Sequence, residues 1–188
     1  MSAWGVDALV CSGYKWLSAP GGVALLAVTD DLAGRIPPLV GWKGSATPFD
    51  FTPQELTLAG DARRFELSTM SYSAASGLAA SITLLTGIGL QSIREHADRL
   101  ADILVQRVAP LGWTPYRPLS DRSASGHILS LRHPTAAVED VQAALADEHR
   151  IITSSRVGGI RVSLHVYNSE DDVRALSEAL ESIGHDTS

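Results

Sequence analysis

The chain has 188 residues, a length that suits one ordinary domain or a domain with a smaller satellite. Hydrophobic residues make up 45% of the sequence and charged residues 19%, a composition that is typical of a globular core and argues against intrinsic disorder. The formal net charge of −6, with no basic run, argues against nucleic acid as the main partner.

Two strands and a long loop are predicted for the first third of the chain. The apolar runs Ala8–Ser12 and Gly21–Val28 are typical of strands in the interior of a parallel sheet. Asp30 and Asp31 predict the start of a short helix. From Leu39 to Arg64 the sequence is rich in Gly, Pro, Ser and Thr, and a loop of that length is usually functional or disordered.

Helical patterns follow the loop. A helix rich in small residues is predicted over Ser73–Thr86, and Ser92 with Glu95 predicts a capping box at the start of the next helix. That second helix is amphipathic, and its apolar face is formed by Leu90, Ile93, Leu100, Ile103, Leu104 and Val108.

Strands and helices alternate in the last part of the chain. The predicted elements are strand Trp113–Tyr116, strand His127–Leu131, helix Ala137–Asp147, strand Ile151–Ser154, strand Ile160–Leu164 and helix Ser169–Ile183. This order predicts a small α/β sandwich in which helices cover a mostly antiparallel sheet.

The sequence gives no sign of secretion or of a membrane span. The first residues lack a charged segment that leads into an apolar run, so no secretory signal is predicted. The uncharged stretch from Tyr72 to Arg94 is interrupted by Ser, Thr and three glycines, which predicts a packed or interface helix and no membrane contact. The single cysteine, Cys11, excludes an intramolecular disulfide and favours a cytoplasmic location.

Lys15 is one of two lysines in the chain and the only charged side chain between Ala8 and Thr29. Burial of an ammonium group lowers its pKa until a neutral amine is available near pH 7, and such amines form Schiff bases. Gly13 ends the strand just before this lysine. The alternative for Lys15 alone is a surface turn from which the side chain reaches solvent.

The segment Gly5–Leu17, followed by Pro20–Gly22, resembles the cofactor-lysine segment of the class V aminotransferase family of pyridoxal 5'-phosphate (PLP) enzymes. This family includes cysteine desulfurases, kynureninase and isopenicillin-N-epimerase-like proteins. The resemblance implies an α/β chain of PLP fold type I in which Lys15 forms the Schiff base with PLP and then moves protons at the substrate α-carbon. It also implies that Ser12 and Tyr14 contact the cofactor phosphate.

A second segment, Arg63–Thr69, resembles the family segment in which a threonine reaches the cofactor phosphate of the neighbouring subunit. The resemblance implies a homodimer with an active site shared between subunits, and Thr69 is the candidate for that contact. A structural role for Thr69 as the cap of the following helix is the alternative.

Two further segments match the same family. Gly158–Asp172 resembles its C-terminal signature, which implies that Arg161 binds the α-carboxylate of an amino-acid substrate through the planar fork of its guanidinium. The alternative is an arginine that faces solvent, because Ile160 and Val162 point to the opposite side of the same strand. In Gly41–Gly44, Trp42 either lines the substrate pocket or fills a local core.

The resemblance extends from Gly5 to Leu180 but corresponds to the later part of the family's fold. It implies that residues 1–72 are the end of the large cofactor domain, with the lysine and an active-site loop. Residues 73–188 then form the linking helices and a complete small C-terminal α/β domain. The sequence therefore predicts a truncated product that is inactive by itself. We expect its first two strands either to pair with each other or with a second copy, or to be the least stable part of the chain, with Lys15 more exposed than in a complete enzyme.

The functional alternatives follow from what the sequence contains. Desulfurases of this family carry a persulfide-forming cysteine ahead of the carboxylate-binding arginine, and Ser154–Gly159 contains none. The remaining reactions at an amino-acid α-carbon are transamination, elimination, including C–S lyase chemistry, and epimerisation, which share their first steps on PLP. The alternative from another class is a non-catalytic fragment or interaction module that needs a separate N-terminal half.

No metal site is predicted, because the histidines are scattered.

Overall fold

The structure is a computed structural model that describes residues 1–50, 55–121, 126–156 and 158–186. Residues 51–54 of the predicted loop lie outside the described residues. The chain divides into two compact units, Met1–Gly87 and Ile88–Ser188. Within the described ranges, no single helix is both long enough and apolar enough to cross a membrane.

Two strands of the first unit pair with each other. Strand β1 (Ala8–Ser12) and strand β2 (Ala24–Val28) are antiparallel, with Ala8 opposite Val28 and Ser12 opposite Ala24. The prediction of interior parallel strands is wrong, because the connection of residues 13–23 is too short for the crossover that parallel strands need. Most residues of both strands are exposed. The expectation that these strands pair with each other is confirmed.

The rest of the first unit is mostly loop. Helix α1 (Asp30–Ala33) is a single turn, and two short 3₁₀ helices at Trp42–Gly44 and Ala62–Phe65 interrupt the loop that the sequence predicts. The Arg64 side chain connects two parts of this segment. Its Nε donates a hydrogen bond to the Ala59 carbonyl at 2.8 Å, and its Nη1 donates one to the Arg35 carbonyl at 2.9 Å.

Helix α2 (Tyr72–Ile88) confirms the predicted helix of small residues and extends it by a residue or two at each end. Its first turn is capped by Ser71, whose Oγ accepts a hydrogen bond from the Ala74 N–H at 3.4 Å. The capping role considered for Thr69 therefore belongs to Ser71. Ala74, Leu78 and Leu85 are the buried residues of this helix.

The second unit contains a four-stranded sheet, and all of its strand pairs are antiparallel, as the sequence predicts. The strands are β3 (Thr114–Pro115), β4 (Ile128–Arg132), β5 (Ser154–Arg156) and β6 (Gly159–Ser163), in the order β3-β4-β6-β5. The strand predicted at Ile151–Ser154 begins at Ser154 instead. The Ile151 N–H bonds back to Leu145 at the end of the preceding helix, and Ile152 is 83% exposed.

Three helices cover one face of this sheet: α3 (Leu90–Val108), α4 (Val138–Asp147) and α5 (Glu170–Asp186). Their apolar sides and alternate residues of β4 and β6 form one buried core, whose largest fully buried side chains are Leu100, Leu104, Val108, Leu131, Leu145, Ile160 and Val173. The other face of the sheet carries the polar residues of the same strands.

Helix starts in the second unit only partly follow the sequence prediction. Helix α3 begins after Gly89, at φ 96°, without a side-chain cap, so the capping box predicted for Ser92 and Glu95 is wrong. At the start of α5 the Ser169 Oγ accepts from the Asp172 N–H at 3.3 Å, and the Asp172 carboxylate accepts from the Ser169 N–H at 2.8 Å. This reciprocal pair makes Ser169 the cap of α5 and gives Asp172 a structural role.

Candidate active site

The predicted cofactor lysine lies in a closed turn immediately after β1. The Gly13 N–H donates to the Val23 carbonyl, and the Ala19 N–H donates back to the Gly13 carbonyl, both at 2.9 Å. A Cβ at position 13 would lie 3.0 Å from the Val23 carbonyl oxygen, so this close approach favours glycine. Backbone hydrogen bonds therefore fix the turn that presents Lys15.

Helix α2 supports the end of this turn. The Ser81 hydroxyl donates a hydrogen bond to the Leu17 carbonyl. A Cβ on Gly77 would lie 2.7 Å from Cγ of Pro20, so the absence of a side chain at position 77 lets the turn and the helix touch. The position of the lysine turn thus depends partly on two small residues, Gly77 and Ser81, which lie far from the turn in the sequence.

The turn brings three of the predicted site residues together. Ser12 is half-buried at the end of β1, Tyr14 is 57% exposed, and Lys15 is exposed. The Lys15 Nζ lies 5.5 Å from the centroid of the Tyr14 ring. Thr69, also in the first unit, is exposed three residues before α2 begins.

Lys43, the other lysine, is surrounded by aromatic rings. Its Nζ lies 4.9 Å from the ring of Trp42, 5.0 Å from Phe49 and 5.8 Å from Tyr72, all within the range of cation–π attraction. Trp42 also packs edge-on against Phe49 at 5.9 Å and donates from Nε1 to the Ser68 hydroxyl at 3.3 Å. These contacts are those of a local cluster, although Trp42 remains 37% exposed. A local core was one alternative for Trp42, but the sequence did not predict that Lys43, Phe49 and Tyr72 would join it.

Arg161 lies in the middle of the open face of the second unit's sheet. On β6 it is directly opposite Ser130 of β4 and Ser154 of β5. Its Nη2 donates to the Ser154 hydroxyl at 3.4 Å, whereas its Nε is buried and has no hydrogen-bond partner among the described residues. The neighbouring Ile160 and Val162 point into the core, as the sequence predicts. Arg161 is half-buried, so it is not a simple solvent-facing side chain.

Two more arginines flank Arg161 on this face. The guanidinium carbon of Arg132, on β4, lies 3.9 Å from the centroid of the Tyr116 ring. Arg156, on β5, is exposed and donates to the carbonyl of Ser155 at 2.7 Å. Alternate residues of a strand point to the same face, and this alternation is the sequence signal that places both arginines on the face of Arg161. Because strand β5 was predicted too early in the sequence, Arg156 was not recognised as part of it.

Among the described residues of the second unit, one histidine has a clearly lowered pKa. Burial and the nearby His165 hold the pKa of His127 below the ordinary histidine value of 6.5, and Asp98 partly offsets this. In the described ranges, no group of three or more His, Cys, Asp or Glu side chains is arranged to hold a metal ion.

Known proteins resemble this chain over nearly its whole length. A profile of the aminotransferase class-V family matches residues 1–176. The uncharacterised aminotransferase YcbU of Bacillus subtilis is 30% identical over 176 residues, which are 91% of this chain and 44% of that protein. Kynureninase of Bacillus mycoides is 30% identical over 187 residues, which are 96% of this chain and 43% of that protein.

The fold comparison agrees with the sequence comparison. The apo structure of a cysteine desulfurase from Thermococcus onnurineus aligns with a TM-score of 0.82 and 27% identity, over 96% of this chain and 48% of that one. The chain therefore spans about half the length of the curated relatives and solved structures that it matches.

Proposed function

Because the chain belongs to the class V aminotransferase family, whose cofactor is PLP, we propose that it acts on the α-carbon of an amino acid in a PLP-dependent transamination or elimination. Lys15 is the lysine that links the cofactor. The observation that carries this proposal is the turn after β1, which is closed by backbone hydrogen bonds and carries Lys15 next to Tyr14, with the Lys15 Nζ 5.5 Å from the centroid of the Tyr14 ring.

The side chains of this turn suit the carbonyl and phosphate ends of PLP. The Lys15 amine matches an aldehyde carbon, and the hydroxyls of Ser12 and Tyr14 match phosphate oxygens. Thr69 supplies a further hydroxyl, which in the proposed homodimer contacts the phosphate in the neighbouring subunit. When bound, PLP supplies an electron sink for the pair of electrons released at the substrate α-carbon.

The residues of this chain then have distinct tasks. Arg161 holds the substrate α-carboxylate, and its buried Nε supports this role because a carboxylate would give that N–H the acceptor it lacks among the described residues. Lys15 moves the proton at the α-carbon that Arg161 orients. The exposed part of the Trp42 ring lines the substrate pocket.

The finer assignments rest on the sequence. We assign residues 1–72 to the end of the large cofactor domain and residues 73–188 to the linking helices and a complete small α/β domain, in a cytoplasmic homodimer. Ser154–Gly159 has no cysteine, which disfavours persulfide chemistry and leaves transamination or elimination ahead of epimerisation. Related enzymes of the family include kynureninase and isopenicillin N epimerase.

A second candidate function is a non-catalytic fragment or interaction module whose partner is a separate N-terminal half. The exposure of β1 and β2 favours it. Val10 is 70% exposed and Leu9, Leu25 and Leu26 are 41–47% exposed, although such strands are normally covered in α/β proteins. Added strands and helices would bury these side chains.

The first experiment titrates the purified chain with PLP and follows the visible absorbance band, alone and after co-expression with the N-terminal half of a class V aminotransferase. We expect weak binding by the chain alone and a strong yellow band in the complex. Lys15→Ala should abolish the band and Lys43→Ala, the matched control, should keep it. A band that survives Lys15→Ala would contradict the assignment of Lys15.

Assays of the complex then separate the two candidate functions. Transamination, elimination or epimerisation of any amino acid that disappears in Lys15→Ala supports the enzyme. A complex that stays colourless and inactive with PLP supports the non-catalytic module.

A further inference from the structure

The open face of the second unit's sheet carries more positive charge than the binding of one carboxylate requires. Arg132, Arg156 and Arg161 all lie on this face, and strands β3 to β6 contain no acidic residue. Within the described part of the chain, neither Arg156 nor Arg161 forms an ion pair. Two neighbouring positive charges without an ion pair among the described residues cost free energy, so Arg156 and Arg161 together indicate an anionic ligand.

Arg156 and Arg161 are placed to bind two anionic groups of one molecule. Arg156 is opposite Gly159, and Arg161 is two residues further along the same strand, β6. The two arginines are therefore diagonal neighbours on one face, with backbones roughly 7–8 Å apart. At this spacing, the two long side chains can bind two different anionic groups of the same small ligand.

Gly159, which lies between Arg132 and Arg156, lets the side chains of neighbouring residues approach the backbone of β6 closely. Gly159 separates Arg132 from Arg156 across the sheet and places no side chain between them. A Cβ there would lie 2.9 Å from the Ser130 hydroxyl and 3.2 Å from Cγ of Arg132. Stacking of Arg132 on the Tyr116 ring holds its positive charge near the same site.

We propose that Arg156 is a specificity-determining residue that binds a second carboxylate, so that the preferred substrate is a dicarboxylic amino acid such as glutamate. This inference rests on the proposed function, in which Arg161 holds the α-carboxylate. Arg156 then binds the side-chain carboxylate through its guanidinium fork, and Arg132 adds attraction without direct contact.

The test follows the Nε–H signals of the arginines by ¹H–¹⁵N NMR while the chain is titrated with L-glutamate or with L-glutamine, its neutral isostere. The variants Arg156→Lys and Arg161→Lys assign the two signals, and Arg107→Lys is the matched control. We expect glutamate to shift the signals of Arg156 and Arg161 and to bind about tenfold more tightly than glutamine, which shifts the Arg161 signal only.

Arg156→Lys should remove most of the preference for glutamate and leave glutamine binding unchanged, because a point charge cannot reproduce the fork. Arg107→Lys should change neither. Equal affinities for the two amino acids would overturn this inference and leave the role of Arg161 intact. An Arg156 signal that does not shift with glutamate would have the same consequence. An Arg161 signal that responds to neither amino acid would overturn the assigned role of Arg161, and with it this inference.

Discussion

The two units of the chain bury very different amounts of apolar side chain. In residues 88–188, leucine, isoleucine and valine side chains from three helices and a sheet form one continuous core. Among the described residues of 1–87 the buried hydrophobic residues are mainly small: Ala33, Ala59, Ala74, Leu78 and Leu85. Packing therefore stabilises the second unit, whereas backbone hydrogen bonds and close approaches at glycine shape the first.

This difference matters for the proposed chemistry. The lysine that would react lies in the unit with little core, and the arginines that would bind substrate lie on the unit with a large core. Rigid secondary structure fixes the arginine positions through strand register, while the lysine position depends on a few local hydrogen bonds. Mutations should therefore affect the two units in different ways.

Truncation of the core should have the largest effect on stability. Leu104 is fully buried in α3, so Leu104→Ala should lower the free energy of unfolding by about 2–5 kcal/mol. Leu26→Ala, at a side chain of β2 that is 41% exposed, should cost less than about 1 kcal/mol. Urea unfolding followed by circular dichroism measures both. Similar losses for the two variants would contradict the contrast between the units.

An intermediate effect is expected at the support of the lysine turn. Ser81→Ala removes the hydrogen bond to the Leu17 carbonyl and should cost about 0.5–1.5 kcal/mol in local stability. Faster hydrogen exchange at the amides of Ser18 and Ala19 would report the loosened turn. Ser76→Ala, at an exposed position of the same helix, is the control and should leave exchange unchanged. Unchanged exchange in Ser81→Ala would refute this support.

The smallest effect is a dependence of stability on pH in the second unit. Because the folded-state pKa of His127 is lowered, the unfolded chain binds more protons below the ordinary value of 6.5. The contribution of His127 to the free energy of unfolding is therefore complete above pH 6.5 and declines as the pH falls below that value. His127→Asn should flatten the stability profile between roughly pH 7 and pH 5.

The matched variant His149→Asn controls for the loss of a histidine, and both profiles come from urea unfolding at each pH. A His127→Asn profile with the same slope as the unchanged protein would show that His127 does not carry this dependence.

Sequence patterns predicted the second unit well, because its elements follow simple periods. The apolar face of α3 and the alternation in β4 and β6 gave the sandwich and its antiparallel sheet. The start of β5 was misplaced because Ile151 and Ile152 resemble strand residues, whereas the Ile151 N–H is used at the end of α4. A short run of apolar residues does not show which carbonyl oxygen will accept a hydrogen bond from a given N–H.

The first unit shows the limit of such patterns. The runs at β1 and β2 are apolar enough for interior strands, but burial requires covering elements and pairing depends on the connection between strands. The lysine turn was predicted from its residues, while its support by Gly77 and Ser81 is a long-range contact that no local pattern encodes. The aromatic surroundings of Lys43 depend on the fold of the loop in the same way.

The chain contains only two lysines, so one measurement tests the central assignment directly. The PLP complex is reduced with borohydride, digested and mapped by mass spectrometry, with Lys15→Ala and Lys43→Ala treated in parallel. We expect a pyridoxyl group on Lys15, no adduct in Lys15→Ala and an unchanged adduct in Lys43→Ala. A pyridoxyl group on Lys43, held among its aromatic neighbours, with none on Lys15 would contradict the account.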